Sequence, residues 1–350
     1  MWPAWMVFRE RANLRWGGDL RRHHVLAALG ARSDAVDVDG WTQDAVSGAL
    51  AALPRRLWRS APSVAAATML ATDTLDLIAD RAKPFAVDFH DDPILQNDAL
   101  GIDPGHTWRD RTTVRKRRNL DAFRWHIVPS PELADLAGLD KERCIEAGNG
   151  SDTQTIQPLP WPTEPVIGFI SGAGPGRGIE TLIDAVRAVR TERPDARLMM
   201  LLAATGTASE AYLAELRAKS AADDWIDFGT APYGQINEHL GRAAVQCVPN
   251  PPAAYWDAVA PIKLFDAMAS GRPVVVTPRT VMRGVVERHE AGLVAEGEGR
   301  DDLAAALLRL LGDEALARRL GANGRNAVVA EHDWTGISER LASRLVALSA

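Results

Sequence analysis

Cysteine, lysine and long apolar runs are all scarce in this chain of 350 residues. Its two cysteines, Cys144 and Cys247, are too few for a disulfide framework and fit a reducing compartment. No apolar run reaches the roughly 18 residues of a membrane-spanning helix. The opening MWPAWMVFRERANLRW is interrupted by Arg9 and Glu10, and has neither the length of a span nor the layout of a secretory signal. A cytoplasmic location is therefore expected. Basic residues are not in excess: 40 Lys and Arg against 46 Asp and Glu give a net charge of −6, which disfavours a dedicated nucleic-acid binder. Only five of the 40 basic residues are lysine, so the position of each lysine is informative.

What remains is ordinary globular composition, 46% apolar and 25% charged. At about 150 residues per domain this length implies two domains. Pro158, Pro160, Pro162 and Pro165 crowd the segment QPLPWPTEP, too densely for a helix or a central strand. The expected division is a first domain over 1–157, a linker over 158–165, a second domain over 166–332 and a last helix over 333–350. Strand-like runs in the second domain are PVIGFI, ARLMMLLA, DWIDFG, AAVQCVP, RPVVVT and GLVA, separated by helical patterns such as GIETLIDAVRAVR. Short continuous apolar strands alternating with helices predict an α/β, doubly wound parallel sheet. Everything after Gly299 reads as helix. The first half offers WMVF, AVDVD, PFAVDFH, WHIVPS and RCIEAG as strands, with helices near GDLRRHHVLAALG and TQDAVSGALAALPRRL. SVAAATMLATDTLDLIAD reads as helix alone or as strand then helix.

Doubly wound sheets bind ligands where strand ends meet helix N-termini. Two loops in the second domain qualify. SGAGPGRG, with Gly172, Gly174, Gly176 and Gly178, lets a phosphate approach the backbone at a helix start, and Arg177 adds a permanent charge. Its glycines do not match the dinucleotide fingerprint. The next strand also ends in alanines and Thr205 rather than an acid, so hydride transfer is disfavoured. The second loop, NPPAAYWDAVAP, has 12 residues and leads into the helix IKLFDAMAS. There Lys263, Asp266 and Ser270 share one stripe, opposite Leu264, Phe265, Met268 and Ala269. A lysine in the first turn of a helix is electrostatically misplaced unless an anion binds there. The plain alternative is an exposed Lys–Asp pair.

APIKLFDAMASGRPVVV resembles the signature helix of the retaining glycosyltransferases of family 4, in the group 1 glycosyl transferases. IEAGNGSD, VIGFISGAGPGRGIETLIDAV, IDFGTAPYGQINEHLGRAAVQCVPNP and EGEGRDDLAAALLRLLGDEALARRLGANGR, with Trp334 beyond, resemble further segments of that family in order. In the first half, RWGGDLRRHH resembles its glycine–glycine loop and DFHDDP its histidine-bearing strand end. The resemblance implies a GT-B fold: two Rossmann-like domains facing a central cleft, with the C-terminal helix packing back on the first. It also implies a nucleotide-sugar donor held by the second domain and a hydroxyl acceptor held by the first. The donor would be met by Gly172, Gly174, Gly176, Gly178, Thr230, Tyr233, Pro261, Ile262 and Asp266, the last at the ribose. Arg177 and Lys263 would hold the diphosphate, His90 would lie near the transferred sugar, and Gly17 and Gly18 near the acceptor.

Three positions depart from the family pattern. Asp266 stands for a glutamate, Ala258 for an acid that Asp257 misses by one place, and Gly172 for an arginine. The chemistry implied is metal-independent sugar transfer with retention and no cofactor. The acceptor is a glycan, a lipid-linked glycan or a small metabolite. A non-catalytic nucleotide-sugar-binding subunit and a nucleotide-sugar epimerase are the rivals. Asp37 and Asp39 form a D-x-D, and His90, Asp91 and Asp92 also offer metal-type ligands; plain structural roles are expected for Asp37, Asp39, Asp91 and Asp92. His23 and His24 are expected at the surface and Cys247 in the core. The run Arg115, Lys116, Arg117 and Arg118 reads as a solvated helix face. Together with seven tryptophans in the first 150 residues, it keeps open a peripheral contact with the inner face of a membrane.

Overall fold

The computed structural model describes residues 5–10, 17–38, 63–67, 75, 83–204 and 206–349. Two compact units emerge. One contains the residues up to Asn149, other than Ala99–Gly101, together with Trp334 onward; the other contains Ala99–Gly101 and Gly150–Asp333.

The first unit is built on a parallel sheet of six strands: β1 (Trp5–Glu10), β2 (Asp34–Val38), β3 (Ser63–Ala66), β4 (Lys83–Asp88), β5 (Trp125–Val128) and β6 (Cys144–Glu146), in the order β2-β1-β3-β4-β5-β6. The strand reading of the ambiguous segment holds for Ser63–Ala66. The expected helix at TQDAVSGALAALPRRL, Asp39, Thr205 and the side chain of Asp37 lie outside the described residues. The helix Trp334–Ser349 packs on the helix Ala27–Gly30, where the Ala28 N–H donates to Ser338 Oγ at 2.8 Å. Trp334 is buried there, and His24, expected at the surface, stacks on it with ring planes 7° apart.

The second unit carries β7 (Val166–Gly172), β8 (Arg197–Ala203), β9 (Ile226–Gly229), β10 (Val245–Val248), β11 (Val274–Val276) and β12 (Gly292–Val294), all parallel, in the order β12-β11-β10-β7-β8-β9. The six apolar runs of the sequence are these strands. Their side chains are buried on both faces: Phe169, Met200, Val245 and Val275 are fully covered, each burial worth about 1.5–3 kcal/mol. After Gly299 the chain is helical over Arg300–Gly312, Glu314–Ala327 and Trp334–Ser349, with a π-turn at Val328–His332.

The proline-rich stretch is docked rather than free. Arg272 donates to the carbonyls of Leu159, Pro160 and Gly241, and Trp161 lies under both Arg272 and Arg318. The unit boundary therefore falls at Gly150, ahead of the prolines. Among the described residues no helix is long and apolar enough to cross a membrane.

Candidate functional site

In the second unit the strand order reverses between β7 and β10, the topological switch point at which open α/β sheets bind ligands. Both loops singled out in the sequence leave the sheet there. The glycine loop follows β7 and ends at Gly178, which caps the helix Ile179–Glu192 with φ +74. A Cβ at 178 would run into the Pro249 carbonyl just past β10, so only glycine lets the two loops meet. The Trp256 indole N–H donates to the Gly176 carbonyl at 3.1 Å, tying the second loop to the first. That second loop is not wholly irregular, since Ala254–Asp257 forms a helical turn.

The helix Ile262–Ala269 then begins at Pro261. Neither Pro261 nor Gly178 supplies a side-chain cap, so two helix N-termini flank the switch point with backbone N–H groups available to an anion. Lys263 reaches back to β7. Its Nζ donates to Ser171 Oγ at 3.5 Å and lies 5.0 Å from the Phe169 ring centroid. Burial, and then the nearby Arg177 charge, lower its pKa to about 7. Arg177 folds over the loop, its guanidinium 3.5 Å from where a Cβ on Gly172 would sit. The small residue at 172 is thus the space that Arg177 occupies.

Asp266 does not pair with Lys263, and the plain reading of an exposed ion pair is overturned. Asp266 is 5% exposed, and Ser151 Oγ and Tyr233 Oη donate to its Oδ1 at 2.6 and 3.2 Å. Burial raises its pKa to about 7 against the opposing pull of those two hydroxyls. Burial, followed by the Asp266 charge, pushes the Tyr233 phenol far above its ordinary value. Ser270, at 1% exposure, is equally enclosed, so two of the three residues of the polar stripe are packed like the apolar face and Lys263 is half-buried. Thr230 stays exposed beyond β9, whereas Ile262 is buried and Pro261 half-buried. Cys247 is core, with burial pushing its thiol up to about 12.

Asp257, one place from the missing acid at Ala258, has partners on another helix. It accepts from Arg279 Nη1 at 3.4 Å and from the Thr280 N–H at 3.2 Å, and Arg279 also pairs with Glu298. Its carboxylate starts the helix Thr280–Arg288, and Ala258 is buried.

The first unit assembles a separate cluster at the carboxyl ends of its strands. Gly17 and Gly18 open the helix Gly17–His24, beyond β1 and beside the β1–β3 switch point. Arg21 of that helix is buried and binds Asp88, at the end of β4, through Nε and Nη2 at 3.1 and 2.7 Å. It also donates to the Gly148 carbonyl and to Asn149 Oδ1. His90 Nδ1 lies 2.8 Å from Asp88 Oδ2, so Asp88 joins the glycine helix to His90. Burial alone would raise the Asp88 pKa, but Arg21 and His90 hold it down at about 2. Asp92 receives Lys116 at 2.6 Å and the Ile94 N–H at 2.9 Å, which gives it a structural role and takes Lys116 off the solvated basic face. Of the described tryptophans in this half, Trp5 is wholly core.

Sequence reading missed Ser151, Trp256, Arg279 and the Arg21–Asp88 pair. Only Arg21 carried a signal, as a charge placed beside Leu20 on a helix that must pack.

Opposite pH effects follow from the two displaced groups. The unfolded chain releases the Asp266 proton near pH 3.8 and the folded chain near 7, so this group lowers stability as pH rises from about 4 to 7. The unfolded chain keeps the Lys263 proton to about 10.5 and the folded chain only to about 7, so this group restores stability as pH rises from about 7 to 10.5. Denaturation from pH 5 to 9.5 should give Asp266→Asn its largest advantage over wild type near and above neutrality. Lys263→Met should gain most at and below it. Superimposable pH profiles for all three proteins would contradict this.

Comparison with known proteins agrees with this architecture. Sucrose-phosphate synthase from Thermosynechococcus elongatus superposes with a TM-score of 0.72 at 16% identity, covering 99% of this chain and 100% of that one. HepE of Anabaena, solved with UDP and glucose, superposes at 0.74 and 15% identity, covering 98% and 100%. The chain has the GT-B fold of such glycosyltransferases, two Rossmann-like α/β units with a helical C-terminus. The family described as Glycosyl transferases group 1 matches residues 164–313. Among curated relatives, a GDP-mannose-dependent monoacylated alpha-(1-6)-phosphatidylinositol monomannoside mannosyltransferase of Corynebacterium glutamicum is 29% identical over 252 residues, 67% of this chain and 62% of that protein. An MMP alpha-(1->4)-mannosyltransferase of Mycolicibacterium hassiacum is 29% identical over 197 residues, 54% of this chain and 44% of that one. The matched segments therefore span less than two thirds of these relatives.

Proposed function

We propose that this chain is a retaining hexosyltransferase that moves a sugar from a nucleoside diphosphate to a hydroxyl of a glycan, a lipid-linked glycan or a small metabolite. The observation that carries the proposal is the arrangement at the β7–β10 switch point, where Lys263, Arg177 and two uncapped helix N-termini gather and would suit a diphosphate. A diphosphate gains charge as the glycosidic bond breaks. Cations already fixed there stabilise it more in the transition state than in the ground state. The bond from the anomeric carbon to the diphosphate oxygen breaks, the acceptor oxygen bonds to that carbon, and the hydroxyl proton passes to a phosphate oxygen on the same face. No protein base and no metal at the diphosphate are needed.

Asp266, fixed at Oδ1 by Ser151 and Tyr233, takes the ribose hydroxyls with Oδ2. In the first unit, Gly17 and Gly18 contribute to the acceptor side, and His90, oriented by Asp88, to the transferred sugar. The names of the mannosyltransferase relatives make GDP-mannose the first donor to try.

Thermal shift against GDP, UDP, ADP and their sugars, without added metal, tests the reading. A ligand at 100 times its Kd adds about 2.7 kcal/mol, which corresponds to a rise of several degrees. One nucleotide series is expected to stand out. No shift from any of them in folded protein would overturn the donor site. A shift with neither transfer nor hydrolysis would instead favour a non-catalytic donor-binding subunit, the reading motivated by Gly172 and Ala258.

A further inference from the structure

Away from the switch point, the second unit brings together three metal-type side chains. His289 caps the helix Thr280–Arg288, and Glu331 and His332 end the π-turn Val328–His332. One ligand atom from each of the three lies within 4.8 Å of the others. The two histidine Nε2 atoms are 3.3 Å apart, with the rings at 89°. That spacing is within hydrogen-bond reach. It equals the edge of a tetrahedron whose zinc–nitrogen bonds are about 2.0–2.1 Å, which comes to about 3.3–3.4 Å.

Both histidines are half-buried, and the His332 side is held in place. His332 packs on the Phe265 ring with centroids 4.7 Å apart, and its backbone carbonyl accepts the Ser151 N–H. Glu331 is held by Arg288 Nη2 at 2.6 Å, in a pair exposed enough for the carboxylate to swing inward. The charges around the cluster are mixed, with Glu290 and Arg319 also nearby in the fold.

We propose that His289, His332 and Glu331 bind a zinc-class divalent ion, with water as the fourth ligand. Imidazole nitrogen suits zinc, copper and nickel over magnesium or calcium, so the site is selective for the borderline metals. The ion would tie the end of the helix Thr280–Arg288 to the turn that precedes Trp334. Through His332 and Phe265 it would also brace the helix that carries Lys263 and Asp266. Its role is structural and separate from sugar transfer.

Zinc titration of the full chain, stripped with chelator, tests the site by calorimetry and by competition with a chromogenic chelator. One ion per chain is expected, with a higher melting temperature in zinc than in chelator. His289→Ala and His332→Ala should each weaken binding by about 10- to 100-fold or more, and Glu331→Gln by less. Arg288→Ala, which removes the cation competing for Glu331, should tighten it, an effect that misfolding cannot mimic. Cobalt bound to the wild-type chain should show the strong visible absorption of a tetrahedral site. Absence of saturable zinc binding by the wild type would overturn the proposal. So would stoichiometric binding that survives both histidine substitutions, or an octahedral cobalt spectrum.

Discussion

Lys263→Met is expected to cut turnover by about 100- to 1,000-fold while making the protein more stable at and below neutral pH. Under the proposed function, the activity loss would follow from removing one preorganised cation from the charge that develops on the leaving diphosphate, a deletion comparable to removing one oxyanion-hole donor. The gain in stability follows from the same burial. An ammonium whose pKa has fallen to about 7 is disfavoured in the folded chain, and an apolar side chain of similar length escapes that cost. Methionine also keeps the contact with Phe169, over which the ammonium lies at 5.0 Å.

The two readouts separate a functional lysine from a packing one. Slower transfer with a raised melting temperature is the signature of a group retained for function at a cost in stability. Unchanged transfer would remove Lys263 from the chemistry. A second consequence is proton uptake. At about pH 8 the free protein holds Lys263 mostly neutral, and a bound diphosphate returns it to the charged form. The heat of nucleotide binding should then depend on the ionisation enthalpy of the buffer, and this dependence should weaken in the Lys263→Met variant. Buffer-independent heats in the wild type would contradict the assignment.

The largest loss of stability is expected at Arg21. Arg21→Met leaves Asp88, fully buried and ionised down to about pH 2, without the guanidinium that makes ionisation tolerable. Breaking a buried pair from one side costs about 3–5 kcal/mol. For a domain of this size that corresponds to a fall of about 10 °C or more in Tm. Adding Asp88→Leu should recover much of the loss, because a buried pair exchanged for apolar groups is often close to neutral.

That double variant separates stability from function. It also removes the carboxylate beside His90, so a double variant that regains its melting temperature but not the rate of the proposed transfer would place Asp88 as a positioning residue. The sign of the acid limb is set as well. Asp88 contributes stability in full above about pH 4, and that contribution is lost as the pH falls toward about 2. A melting temperature that stays within a degree or two of wild type for Arg21→Met would show that the pair is dispensable.

Much of this molecule was legible because it is local. The apolar run ARLMMLLA, short and bounded by turn residues, reads as a strand covered on both faces, and its alternation with amphipathic helices argues for parallel pairing. The glycine loop, the lone lysine at a helix start and the acid one turn later were all visible as neighbours in the chain. Their order matched a known family, and the fold followed.

The partners that give these residues their character were not local. Asp266 meets Ser151 from 115 positions away, and Arg21 meets Asp88 from 67. Periodicity reports which face of a helix is apolar, but not what a polar group on the other face will touch once that face is covered as well. The sequence placed Lys263 and Asp266 on one stripe. Only the tertiary structure sent them to different partners, buried Asp266, half-buried Lys263 and moved their protonation toward neutrality from opposite directions. Sequence alone therefore determined the α/β architecture, the two loops that leave the sheet at its switch point and the residue types available there. Burial and long-range pairing, which depend on what the rest of the chain leaves beside each side chain, decided the protonation states, the occupation of Asp257 by Arg279, and the meeting of His289 with His332.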